Sequence, residues 1–366
     1  MIDGPVTALI GNGLSIAYNP GMSCPELTKS LLPLLENSPG GDDVRRALHN
    51  LADKITAGTA DGDDFEQLLG PVDVAAGAVS ALESLAAAYN GTGAASGDPL
   101  VQALRMSTEF ADKFYQVGVS HVLKLVDERS HGKGNDVADK FFRALAEAAG
   151  DGCCLATLNY DNLLISGALS HFSLKKDLAD GLEPVEFELT AGHTAKGFRL
   201  RTSPFIDSQA CAVLALHGSL SWLRRGTEYV KFGMPSLRYD PGFWADCIEQ
   251  KTDWRPVVVL TNQSQKSMRV LEYPFSMAYQ MFTERLKRSS RWLIGGYGFG
   301  DQCVNQVLRH ASESATHAIN CLVVTYGDHP TQEVIDETLQ GIHVSAYRGG
   351  FSALLTASEW RDWKVV

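Results

Sequence analysis

The chain has seven cysteines, at 24, 153, 154, 211, 247, 303 and 321, and no Cys-x-x-Cys among them. An odd count without paired spacing excludes a zinc ribbon and argues against a disulfide scaffold. Most of these cysteines lie in apolar runs, where the residue serves as a small buried hydrophobe. No basic segment leads into an apolar signal core at the N-terminus, and no apolar run reaches membrane-spanning length. These absences predict a soluble, cytoplasmic protein with no membrane partner. Positive charge is also scarce: 32 Lys and Arg stand against 43 Asp and Glu, a formal net charge of −11. A general nucleic-acid binder needs a basic surface, so direct nucleic-acid binding is not expected. A single anionic ligand held by local groups remains compatible. There is no internal repeat and no low-complexity tail.

What is present is enough for one large α/β domain with an insertion: 366 residues, 45% hydrophobic. Val6 to Ile10 reads as a buried first strand ending in the turn Gly11-Asn12-Gly13, with Ser15 placed to cap the next helix. Asn19 to Met22 is a break. From there to Gly150 the chain is rich in Ala and Leu at helical spacing, with no strand and with loops at 90–98 and 131–135. Residues 21–150 are therefore read as a helical insertion, a lid or an assembly surface. Residues 1–20 and 151–366 are read as a Rossmann-like α/β domain with a mostly parallel sheet and helices on both faces.

Buried strands follow at Cys153–Ala156, Val213–Leu216, Val257–Leu260, Trp292–Ile294 and Cys321–Val324, with another at Ile342–Val344. A hairpin is expected across Glu186–Leu189 and Phe198–Arg201. Leu220 to Trp254 reads as a polar, irregular stretch. Its Trp222, Trp244 and Trp254 fit surface packing better than a sugar platform.

Four strand ends carry the chemistry. Open parallel sheets bind ligands outside the carboxyl ends of their strands. Gly11, Asn12, Gly13 and Ser15 form a short glycine turn of the kind that lets backbone approach a phosphate. It equally fits an ordinary strand-to-helix turn. Thr157, Asn159, Tyr160 and Asp161 put an amide, a phenol and a carboxylate after a buried strand. Asn159 and Asp161 share a side if the strand continues, and either could instead cap the following helix. His217, Gly218 and Ser219 follow another apolar strand, where a neutral imidazole can take a proton from a hydroxyl or a water. Gly296, Tyr297, Gly298 and Asp301 form a second glycine-rich turn. Asp301 there is an N-cap or a ribose ligand, and Tyr297 a pocket wall or core.

These four pieces, in this order, resemble the sirtuin superfamily. The resemblance is to its divergent bacterial branch, the sirtuin-like NAD hydrolases associated with anti-phage defence. It covers roughly residues 5–20 and 150–330. It implies that Asn159 is the catalytic asparagine beside the nicotinamide ribose, that His217 is the general base, and that Asp161 fixes the nicotinamide end. It implies that Gly11, Asn12, Gly13 and Ser15 lie on the phosphate side, and that Gly296, Gly298 and Asp301 surround the adenosine half. Thr157, Tyr160, Gly218, Ser219 and Tyr297 complete the expected site. The four-cysteine zinc module of the deacetylases is missing, so no metal is expected. Leu158 stands where they carry Gln, and Asn12 where they favour Ala. The resemblance thus implies NAD as substrate, cleaved to nicotinamide and ADP-ribose, in a homo-oligomer or under a regulatory partner such as a HerA-type ATPase. The alternatives are an NAD or ADP-ribose sensor without catalysis, and a protein deacylase or ADP-ribosyltransferase.

Overall fold

The computed structural model describes residues 5–36, 46–51, 64–89, 98–131, 135–150, 152–173, 175–178, 184–190, 192–204, 210–233, 242–261 and 263–365. Among the expected loops, 90–97 and 132–134 lie outside them.

In chain order, strand β1 (Val6–Ile10) leads to helices α1 (Asn12–Tyr18), α2 (Cys24–Glu36), α3 (Phe65–Tyr89), α4 (Pro99–Ser130) and α5 (Val137–Ala149). Then come β2 (Cys154–Thr157), α6 (Leu163–His171), β3 (Lys175–Lys176), β4 (Pro184–Thr190), β5 (His193–Arg199), β6 (Cys211–Ala215), β7 (Gly218–Arg225) and β8 (Glu228–Phe232). After these run α7 (Phe243–Ile248), β9 (Arg255–Val258), α8 (Gln263–Arg269), α9 (Phe275–Arg288), β10 (Arg291–Gly295) and α10 (Gln302–Glu313). The chain closes with β11 (Asn320–Val324), α11 (Gln332–Thr338), β12 (His343–Tyr347), α12 (Gly350–Leu354) and α13 (Ser358–Val365).

Seven strands form one sheet in the order β12-β11-β10-β1-β2-β6-β3, and every pairing in it is parallel. Leaving aside the two-residue β3, this is a doubly wound order that reverses direction between β1 and β10. That reversal is where such sheets open a crevice. Successive strand residues face opposite sides. Leu9, Ala156, Leu214 and Ile294 pack with α9 and α10, while Ala8, Leu155, Val213 and Leu293 pack with α5, α6, α12 and α13. Both faces being covered explains why these strands read as unbroken apolar runs.

A second sheet is antiparallel, in the order β4-β5-β8-β7-β9. It corrects two expectations. Val257 and Val258 belong to this sheet and not to the parallel one. Leu220–Trp254 is not irregular throughout, since it holds most of β7 and all of β8. Its three tryptophans are buried rather than at the surface: Trp222 lies under the parallel sheet, and Trp244 and Trp254 lie between the second sheet and the insertion. Their polar neighbours hid the strands, because exposed Arg224 and Arg225 follow a fully buried stretch of β7.

The insertion contains no strand among its described residues. Its α2, α3 and α4 share one apolar core with the second sheet. The helix α5, counted above with the insertion, instead packs Phe141, Phe142 and Leu145 onto the parallel sheet as the crossover between β1 and β2. Among the described residues one helix, α3, is long and apolar enough to cross a bilayer by length and composition, with a mean hydropathy of 1.3 over its best window. Its few polar residues break the apolar run without lowering the average.

Candidate functional site

The two glycine turns meet at the reversal point of the sheet. Gly11 N donates to Gly295 O and Gly13 N to Gly296 O, both at 2.9 Å. A Cβ on Gly11 would stand 2.6 Å from Gly296 O, and one on Gly13 2.6 Å from Gly296 Cα. Gly296 itself has φ +65°, the left-handed region that favours glycine. These three glycines are therefore required by each other. The Gly11 and Gly13 amides, which could have met a phosphate, are already bonded to the neighbouring loop. Gly298 has open space where a side chain would be.

Ser15 does not cap α1, which begins at Asn12 with Gly11 as its N-cap residue. It lies inside the helix, buried, and its hydroxyl donates to Asp161 Oδ2 at 2.5 Å. Asn159 Nδ2 donates to Ser15 Oγ at 2.8 Å and to Gly11 O at 3.1 Å. The Asn159 amide nitrogen bonds Thr157 Oγ1, and the Thr157 hydroxyl in turn bonds Ile10 O. Asp161 Oδ1 accepts the Leu163 amide at 2.9 Å, as a residue at the start of a helix would. Burial pushes the Asp161 carboxyl above its ordinary range, and the bonds from Ser15 and Leu163 only partly offset this.

Asn12, Leu158, Asn159, Tyr160 and Asp161 line a small cavity of about 80 Å³ with Leu27, Phe65, Glu66 and Val126 of the insertion. The insertion thus walls this cavity. The anchor is Tyr160, whose hydroxyl lies 2.6 Å from Glu66 Oε1 and 2.8 Å from Val259 O.

His217 and Asp301 form the second group. His217 Nε2 lies 3.1 Å from Asp301 Oδ2 and 3.2 Å from the Tyr279 hydroxyl. Lys266 Nζ lies 3.3 Å from Asp301 Oδ2 and 3.3 Å from Glu66 Oε2. Asp301 Oδ2 is thus faced by the imidazole and the ammonium together. Asp301 Oδ1 is an N-cap, accepting from Cys303 N at 2.9 Å and Val304 N at 3.1 Å. Tyr297 is core: its hydroxyl bonds the Asp301 carbonyl and Asn305, shaping the turn.

Burial lowers the pKa of His217, and Lys266 lowers it further, so the imidazole is neutral near pH 7. Burial alone would raise Asp301, but His217, Lys266 and the Val304 amide more than reverse this, and its carboxyl stays well below the usual range. Burial would lower Lys266, but Glu66 and Asp301 outweigh it and hold the ammonium charged. Two carboxylates on one ammonium leave the group with a net negative charge.

Gly218 is a turn residue with φ +84°, and a Cβ there would meet Val257 O at 2.0 Å. Ser219, in β7 of the second sheet, bonds Asn162 Oδ1 and Ser221. The expected residues thus fall into two groups, one around Asn159 and one around His217. They lie beyond adjacent strands whose register pairs Thr157 with Ala215. Glu66 and Lys266 join the groups, and the sequence singled out neither. Neither residue carried a sequence signal that pointed to a site. Among the described residues no cluster of His, Cys, Asp and Glu could hold a metal ion.

The fold and this site define a Rossmann-like α/β protein with a polar cluster at the carboxyl ends of its strands. Beyond that class, neither protein-family models nor curated proteins return a match to the chain.

Proposed function

We propose that this protein cleaves the bond between nicotinamide and ribose in NAD, giving nicotinamide and ADP-ribose. The observation that carries the reading is Asn159, fixed by Ser15 and Gly11 in the wall of a cavity, with neutral His217 beyond the adjacent strand end. Glycosidic cleavage passes through a cationic, oxocarbenium-like state. An excess of carboxylate favours such a state, and the group of Glu66, Asp301 and Lys266 has that excess. Asn159 would orient the ribose or the attacking water. His217 would accept the proton, with Asp301 orienting the ring. Asp161 would hold Ser15, and through it Asn159. As a cytoplasmic activity it would deplete NAD, which fits the resemblance to regulated anti-phage effectors gated by self-association or a partner.

A second reading is a sensor that binds NAD or ADP-ribose without cleaving it. The sealing of His217, 4% exposed beneath Lys266, Asp301 and Tyr279, favours it. Chromatography of NAD incubated with wild type, Asn159→Ala and His217→Ala separates the two. Nicotinamide from wild type alone supports cleavage. Calorimetric binding of NAD with no product in any sample supports the sensor. Equal turnover in all three removes both residues from the reaction.

A further inference from the structure

The helix α3 is largely apolar, and among the described residues only its first half is buried all round. Phe65, Leu68, Leu69, Val72 and Ala76 are buried within the molecule. From Gly77 onward the helix emerges, yet it stays apolar. Its one charge from Val74 to Tyr89, Glu83, is paired with Arg105 Nε of α4 at 2.9 Å. Leu82, Leu85 and Tyr89 are 52%, 65% and 90% exposed. With Ala78, Ala81 and Ala88 they recur at three- and four-residue steps, one stripe on the side away from Glu83. A contiguous exposed apolar stripe of this kind marks a surface that another element covers.

The stripe's own chemistry says what covers it. A bilayer does not fit. Spanning one would pull Glu66 from Tyr160 and Lys266, and Asp73 from its two bonds to Arg269, because both carboxylates ride on this helix. Lying on one would call for Lys or Arg beside the apolar face, and α3 has neither. The stripe is instead complementary to itself. Two copies of α3 laid antiparallel about a two-fold axis between Leu82 and Leu85 set each Leu82 against Leu85 of the second copy. The same register sets Tyr89 against Ala78 of the second copy, beside Gly77. Large side chains then meet small ones, and Ala81 and Ala88 let the helices approach closely. No outward charge on the stripe opposes this, although the chain as a whole carries −11.

We infer that the protein forms an isologous dimer through the outer face of α3, antiparallel and centred between Leu82 and Leu85. The inference stands apart from the proposed chemistry, although the same helix carries Glu66 into the wall of the cavity.

Sedimentation velocity of the full chain, up to about 100 µM, tests it. Wild type should dimerise. Leu82→Glu/Leu85→Glu should weaken the dimer at least about 100-fold, since it sets unpaired carboxylates in an apolar contact. Tyr89→Asp should weaken it as well. Leu169→Glu, at an equally exposed leucine on α6, should leave it unchanged. Circular dichroism checks that each variant is folded. A monomeric wild type, or the same dimer in Leu82→Glu/Leu85→Glu, overturns the inference. Flotation of wild type with phosphatidylcholine vesicles in place of dimerisation overturns it equally.

Discussion

Lys266 is the residue whose removal should be felt furthest. It is buried and touches Glu66 and Asp301 at 3.3 Å each. At an effective dielectric constant near 20, each contact is worth about 5 kcal/mol of gross attraction. Desolvating the ammonium offsets much of that. Deleting one member of such a group, however, leaves buried charge uncompensated and costs about 3–5 kcal/mol. With roughly 2.1 cal/mol/K of unfolding entropy per residue over the chain's 366 residues, a loss of about 4 kcal/mol lowers Tm by about 5 °C. We therefore expect Lys266→Met to melt about 5 °C lower by calorimetry. Lys266 also holds down the pKa of His217, so NMR titration should find that pKa raised in the variant. Adding Glu66→Gln removes one of the stranded carboxylates and keeps an acceptor for Tyr160. The double variant should recover at least about 1 kcal/mol. A melting point within about 1 °C of wild type, with an unchanged His217 titration, would refute the reasoning.

Gly296→Ala should destabilise by about 2–4 kcal/mol, because its Cβ would stand 2.7 Å from Gly13 Cα at a residue with φ +65°; urea unfolding measures this. Stability should also fall on acidification. His217 has a lowered folded pKa, so its contribution is complete above about pH 6.5 and is lost as pH falls through the folded value. Asp301 is lowered too, and its contribution is lost below about pH 4. Melting points taken from pH 8 to pH 3 should decline in that order, and His217→Asn should remove the first decline.

The central strands of the parallel sheet were legible because burial on both faces writes them as short apolar runs, whereas the two-residue edge strand β3 was not. The second sheet was legible only in part: the expected hairpin is there as β4 and β5, whereas β7 is buried along six residues and then ends in exposed Arg224 and Arg225, so its pattern did not read as a strand. The cluster at the strand ends was legible for a related reason: Asn159, Asp161 and His217 are polar residues placed immediately after apolar ones, and a core has no use for them there. What the sequence could not show is that Glu66 and Lys266, 200 residues apart, complete that cluster. A surface lysine and a first-turn glutamate look the same in sequence as these two, because a buried ion pair is defined only by what closes over it.

The glycines carry the sharper lesson. Gly11-Asn12-Gly13 and Gly296 match a phosphate-binding turn and also match two loops packed backbone to backbone, and local sequence does not distinguish the two. In the structure the close approach is between the loops, and the amides at Gly11 and Gly13 are spent on it. A ligand at this crevice would therefore gain little from those two amides. Recognition of its polar groups would fall instead on Asn12 and Asn159, which line the cavity, and on the open side of Gly298. Any chemistry at these strand ends would thus rest on side chains that the glycine turns position, the turns after β1 and β10 being locked together by their backbone bonds.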